Sequence, residues 1–169
     1  MKEQKPLAVA NYVIDIIHKN HSSVTNLQLQ KILFFLQGYI LSTYDDKPLI
    51  SGKFLKWKYG PVQREVYQAF KNYAAFPIKN KFLEVYFKND TLIKRTPFMD
   101  KYMLPNYNEF NDLILRLDKL PVGKLITITH NHESWKKDRE KIMQYVPLEY
   151  TNKEIKSCFK ENKAKLYDR

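Results

Sequence analysis

The stretch from Thr25 to Tyr44 constrains the fold more than any other part of the chain. Leu29, Ile32, Leu33, Leu36 and Ile40 recur at helical spacing, and Phe35 and Tyr39 widen that stripe onto an adjoining face. A helix that is apolar on two faces belongs in the middle of a core, with other elements packed around it. Thr25 stands three residues before Gln28, the spacing at which a hydroxyl and an amide reciprocally satisfy the unpaired N–H groups of a helix start. Gly38, inside the helix, costs about 1 kcal/mol relative to alanine. That cost predicts a second backbone packed closely at that point.

The remaining segments read as partners for this helix. Leu7 to Asn20 is a first helix, with Ala10, Val13, Ile14 and Ile17 on one face and Val9 and Ile16 widening it. Asp45-Asp46-Lys47-Pro48 is expected to turn, and Leu49 to Lys58 to run as a short extended piece. Gly60-Pro61 predicts a third helix with Pro61 at its first position, where no N–H is needed, and with Val62, Val66, Phe70 and Tyr73 on one face. Lys81 to Arg95 is the one convincing β region, two alternating runs around the turn-prone Asn89-Asp90, and such a hairpin needs helices to pack on. Pro97 and Pro105 bracket an irregular stretch. Asn106 with Glu109 starts a fourth helix carrying Phe110, Leu113, Ile114, Leu117 and Leu120; Pro121 ends it and begins a short fifth with Val122, Leu125 and Ile126. A polar loop is expected from Thr129 to Ser134, then a charged segment headed by Trp135. Thr151 with Glu154 caps a last helix bearing Ile155, Cys158, Phe159 and Leu166. The expected fold class is α+β, mainly α: a single domain spanning residues 1–169, built around a long central helix, with a small β hairpin at one edge.

A chain of 169 residues that is 44% hydrophobic can bury such a core without cross-links. Its lone Cys158 offers neither an internal disulfide nor a zinc knuckle, which suits a reducing compartment. Asp15 and His18 interrupt the first apolar stretch before it takes signal-peptide form. No run approaches the roughly 18 to 20 apolar residues that span a bilayer. A cytoplasmic protein with no membrane partner is the expectation. Lys plus Arg number 29 against 18 Asp plus Glu, a net charge of +11, concentrated from Ser51 to Pro105 and from Lys136 to Arg169. Such an excess favours polyanions or an acidic protein surface as partners. An AT-rich coding sequence would also enrich Lys, Asn and Tyr, so charge alone does not choose between them.

Motifs of catalysis are absent: the chain has no glycine-rich phosphate loop, no His-Glu-x-x-His and no Gly-x-Ser-x-Gly elbow, and only four glycines in all. His130-Asn131-His132-Glu133 is the densest group of potential ligands or acid/base groups, but it lacks partners at metal-binding spacing. Helix-capping loop residues are the better account of it. Cys158 falls on an apolar stripe rather than beside a base or a helix N-terminus, as a packed thiol does. His18 and His21 flank the end of the first helix, where they complement its dipole. The expectation is a protein that is no enzyme and holds no cofactor and no metal.

Lys53 to Arg64 interleaves cations with aromatics and delivers the chain to a predicted helix start. Free amides there, with Lys58 and Arg64, suit an anion or a partner's carboxylate, and the interleaving suits single-stranded nucleic acid. A purely architectural reading stands beside these: Trp57 and Tyr59 fill the core while the alternate lysines face water.

Two motifs, Thr25-Asn26-Leu27-Gln28-Leu29-Gln30-Lys31-Ile32-Leu33-Phe34-Phe35-Leu36-Gln37-Gly38-Tyr39 and Trp57-Lys58-Tyr59-Gly60-Pro61-Val62, occur in that order, followed by His132-Glu133-Ser134-Trp135-Lys136. Together they resemble the Panacea domain family, the SocA-like, phage-associated antitoxins, over roughly Leu7 to Phe159. Phe34-Phe35 departs from the Tyr-rich pairs common there, and the basic hairpin is particular to this chain. The resemblance implies an antitoxin that neutralises a cognate toxin, usually encoded beside it, by direct protein–protein binding. A family member additionally delivers its toxin to a Clp-type protease. Aromatic and basic anchors dominate interfaces, so Trp57, Lys58, Tyr59, Arg64, Tyr86, Phe87 and Arg95 are the candidate partner-binding residues. The alternatives are a nucleic-acid-binding regulator and a phage-encoded inhibitor of a host defence protein.

Overall fold

A computed structural model describes residues 2–44, 47–104 and 106–167. Helix α1 (Pro6–Lys19) leads through a short loop to α2 (Asn26–Thr43), whose every residue from Leu29 to Leu41 is buried. The two-faced apolar pattern therefore does mark the centre of the core. Thr25 Oγ1 accepts from the Gln28 N–H at 3.3 Å, but the Gln28 side chain does not return the bond. Its Nε2 donates instead to the Asp118 carbonyl at 2.9 Å, fastening α2 to α4 (Tyr107–Lys119). The close approach at Gly38 comes from α8 (Asn152–Tyr167): a Cβ at Gly38 would lie 2.5 Å from Phe159 Cβ and 3.1 Å from the Ile155 carbonyl. Asn106 caps α4 through the Glu109 N–H, and Thr151 with Glu154 forms the reciprocal cap ahead of α8.

Two antiparallel hairpins stand at the edges of this helical body, where one was expected. The anticipated one pairs β3 (Glu84–Lys88) with β4 (Thr91–Arg95) around Asn89 and Asp90, both at positive φ. The other pairs β1 (Phe54–Trp57) with β2 (Gly60–Gln63), so Pro61 does not begin a helix. Helix α3 (Arg64–Phe70) starts after the strand, and the Gln63 side chain accepts from the Val66 N–H at 3.0 Å. A proline suits both settings for one reason, a position where no N–H is called for. Val62 accordingly belongs to the strand, while Val66 and Phe70 remain the buried face of α3.

The polar loop expected from Thr129 to Ser134 is instead nearly all helix. After Pro121, α5 (Val122–Asn131) runs on to Asn131, and α6 (Glu133–Lys136) follows at once, with His132 as the hinge between them. Trp135 is buried, and the charged residues that follow it, Lys136 to Lys141, are mostly exposed. A short α7 (Arg139–Met143) precedes the final loop. Cys158 is buried on α8, and burial pushes its thiol up to about 12, as a packed residue requires. Asp45 and Asp46 of the expected turn, and Pro105, lie outside the described residues. No described helix is long and apolar enough to cross a membrane.

Candidate functional site

The first hairpin is held by side chains of α2 that act in place of a neighbouring strand. Lys56 and Pro61 oppose each other across the hairpin. Alternate residues of an antiparallel pair turn their backbone groups outward, away from the partner strand. The Lys56 N–H donates to the Leu148 carbonyl at 2.8 Å, and the Tyr150 N–H to the Phe54 carbonyl at 2.8 Å, so residues 148–150 flank β1. On the other side, Lys31 Nζ donates to the Pro61 carbonyl at 2.9 Å, and Gln30 Oε1 accepts the Gln63 N–H at 2.8 Å. The two sequence motifs are thus parts of one joint. Gly60, at φ +91°, leaves room for it: a Cβ there would meet Thr129 Oγ1 at 2.8 Å and Lys31 Cε at 3.1 Å.

The joint is electrostatically unusual. Lys31 is fully buried, and burial pushes its amine down to about 7. The His130 ring is stacked on Trp135, centroids 3.8 Å apart. Burial and then the Lys31 amine lower its pKa, against a hydrogen bond to the Lys58 backbone that favours protonation. Trp135 Nε1 donates to the Trp57 carbonyl at 3.1 Å, so the third motif also grips the hairpin. His132 caps α6 by accepting from the Ser134 N–H and faces Glu161 at 3.3 Å. Among the described residues no group of three or more His, Cys, Asp or Glu side chains could hold a metal ion.

Lys56 reverses the architectural reading of this segment. Its side chain points inward, with Nζ 2.7 Å from Asp138 and 3.0 Å from Glu154, under the Tyr150 ring. Glu154 also pairs with Lys137 at 2.6 Å. Burial would raise the Glu154 carboxyl, but Lys137, the Thr151 N–H and Lys56 together hold it at about 2. Strand alternation then turns Leu55 and Trp57 outward, where Trp57 meets Tyr67 of α3 edge to face at 4.9 Å. Tyr59, at the hairpin tip, is 59% exposed.

The outward face floors a groove of about 540 Å³, walled by Tyr67 and Leu27 on one side and by Ile142 to Leu148 on the other. Trp57, Lys58, Tyr59 and Arg64, four of the seven candidate residues, line it together. Among the described residues no carboxylate lines it; Lys56 is neutralised from behind, which leaves Lys58 and Arg64 to set its sign. The helix start expected at Pro61 falls instead at Arg64, where the Gln63 side chain takes the Val66 N–H. Tyr86 and Phe87 lie exposed on β3 and Arg95 on β4, and none of the three lines the groove. Sequence reasoning missed the far wall, above all Tyr145, which is 83% exposed at positive φ. An aromatic held open on a turn after a charged helix was its only signal.

The polar residues that carry the joint fall inside the stretch matched by a family model. The model for the SocA-like antitoxins of the Panacea domain matches residues 29–136, more than half of the chain, and the chain belongs to that family. Antitoxin SocA of Caulobacter vibrioides (strain NA1000 / CB15N) is 28% identical over 123 residues. That match covers 73% of this chain and 63% of the relative, so the chain spans under two thirds of the length of the curated protein it matches. No solved structure matches the chain.

Proposed function

We propose that this chain is an antitoxin that neutralises a partner toxin by direct binding, seating an apolar and acidic segment of that toxin in the groove over the first hairpin. The observation that carries the reading is the groove itself: an open, mostly apolar floor with Trp57 and Tyr59 as aromatic anchors, Lys58 and Arg64 as cations and, among the described residues, no acidic one in its lining. Aromatic and arginine side chains in such a setting are the usual sources of interface energy. The exposed Tyr86, Phe87 and Arg95 of the second hairpin supply a separate contact. Family membership supports the antitoxin role.

The test is co-expression with the product of the adjacent gene. Growth should be restored and the two proteins should co-purify. Tyr59→Ala with Arg64→Ala removes two exposed anchors and should weaken the complex by about 30-fold or more, at about 2 kcal/mol for an anchor that is a hot spot. The melting temperature should stay unchanged. A double variant that protects cells and co-purifies as well as the wild type would exclude the groove. An adjacent toxic protein that is neither bound nor suppressed would exclude the function.

A further inference from the structure

We infer that the outer flank of α8 is a second binding surface, one that takes the phosphate backbone of duplex nucleic acid without reading its sequence. At 3.6 residues per turn, Lys153, Lys156, Lys160 and Lys163 fall within about 80° of arc, along about 15 Å of helix. The buried residues Ile155, Cys158, Phe159 and Leu166 form the seam against the core, and the two carboxylates of the helix, Glu154 and Glu161, lie beyond it on the other flank. Both carboxylates are engaged: Glu154 by Lys56 and Lys137, and Glu161 by Ser157 and His132. Lys165, off the stripe, donates to Asn162. Among the described residues Lys153 and Lys160 have no ion pair, and their side chains line one open depression with Lys156, Asn152 and Ser157, Glu161 being its single acidic member. A compositional excess of lysine would scatter around a helix; here four of its five lysines share one arc, and both carboxylates fall outside that arc.

The chemistry of the stripe selects the occupant. Protein interfaces rest on aromatic and arginine anchors and are poor in lysine. This flank presents lysines, an asparagine and a serine, and it lacks the apolar residues that the groove displays. Binding of single strands relies on exposed rings for stacking. The ring at the end of this stripe, Tyr167, is half-buried and covered by Arg116 and Lys163. What remains is a row of point charges on a rigid rod, suited to a duplex that carries one charge per about 1.7 Å of axis. None of the stripe lysines lines the groove, so this inference stands independently of the toxin reading.

The experiment is fluorescence anisotropy of the full chain with a labelled duplex two helical turns long and of arbitrary sequence, over a salt series. Wild type should bind at about 50 mM salt and lose affinity steeply by about 200 mM. Replacing Lys153, Lys156, Lys160 and Lys163 together by Gln should weaken binding at least tenfold at low salt. It should also lower the slope of log affinity against log salt by about 3 to 4, near 0.9 for each phosphate that the variant no longer neutralises. The matching four Lys→Arg changes should retain both affinity and slope, and a thermal melt of each variant shows whether α8 is still folded. As the control for net charge, Lys71, Lys79, Lys88 and Lys124, all exposed, are replaced by Gln and should keep most of the binding. Four results would overturn the inference: no binding at low salt, equal losses in both Gln sets, tighter binding of single strands than of duplex, or a stripe variant that binds duplex normally yet loses an acidic protein partner.

Discussion

Lys31→Met isolates the buried amine at the joint between α2 and the first hairpin. Lysine in an unfolded chain titrates near 10.4, and in this fold burial brings Lys31 down to about 7. Between those values the unfolded state holds more protons than the folded one, so stability rises with pH across the window. It is greatest above the unfolded value, falls as pH drops towards 7, and is flat below, where both states carry the proton. With these two values, moving from pH 7 to pH 9 should stabilise wild type by about 2 kcal/mol relative to the methionine variant. In a chain of this size that corresponds to about 4 to 8 °C in the melting temperature. Methionine keeps the length and apolar stem but leaves the Pro61 carbonyl without its donor, which adds an offset that does not change with pH. Burial and then the Lys31 amine lower the neighbouring His130, so the two groups are coupled, and the comparison rests on the rise from pH 7 to pH 9. Thermal melts of both proteins at half-unit steps from pH 6 to 9 measure the effect. Parallel curves would refute the reasoning, since they would mean that Lys31 carries its charge in the fold throughout.

Three further outcomes follow from the same packing. Gly38→Ala should destabilise by about 1 to 2 kcal/mol in urea denaturation, because overpacking against Phe159 outweighs the helix-propensity gain of about 1 kcal/mol. Glu154, held at about 2, contributes stability that is complete above its unfolded value and lost as pH falls through the folded one. Wild type should therefore lose about 3 kcal/mol between pH 5 and pH 2 that Glu154→Gln does not, read as the difference in urea midpoints. Cys158, buried with its pKa at about 12, should resist iodoacetamide in the native protein at pH 8 and label fully in denaturant, as mass spectrometry would show.

The helical skeleton was legible because its signals are local: stripes at i, i+3 and i+4, hydroxyl or amide caps before them, and a glycine whose cost demanded a close neighbour. The β3–β4 hairpin was legible for the same reason, from alternation around Asn89-Asp90. Gly60-Pro61 misled because a residue without an N–H fits a helix start and a strand edge equally, and only Lys31, thirty positions away, decides between them by supplying a donor to the Pro61 carbonyl. Lys56 was illegible in kind. A lysine between Leu55 and Trp57 looks solvent-facing until Asp138, from the turn before α7, and Glu154, from α8, arrive to meet it. At the candidate site the near side could be read as a contiguous run of aromatics and cations, whereas the far wall comes from much later residues, Ile142 to Leu148, brought there by the pairing of 148–150 with β1.

This division bears on how such a protein keeps one scaffold and serves a particular partner. Lys31, Gln30, Gly60, Pro61 and Trp135 all point into the joint and spend their polar groups on one another or on the hairpin backbone. They are the most distinctive letters of the motifs, yet apart from the exposed hairpin tip the motifs present little to a second molecule. What they do is hold Trp57 and Tyr59 outward on a short hairpin that would be marginal alone. The opposite wall, Ile142 to Leu148, falls outside the family-matched residues 29–136. A groove with one wall built by the shared joint and the other by a loop beyond it can change its width, charge and aromatic content at Tyr145 and Val146 without disturbing Lys31 or the core. Under the proposed function, partner choice on this scaffold is therefore expected to reside in the far wall and the exposed tip, and the capacity to bind at all in the buried joint beneath them.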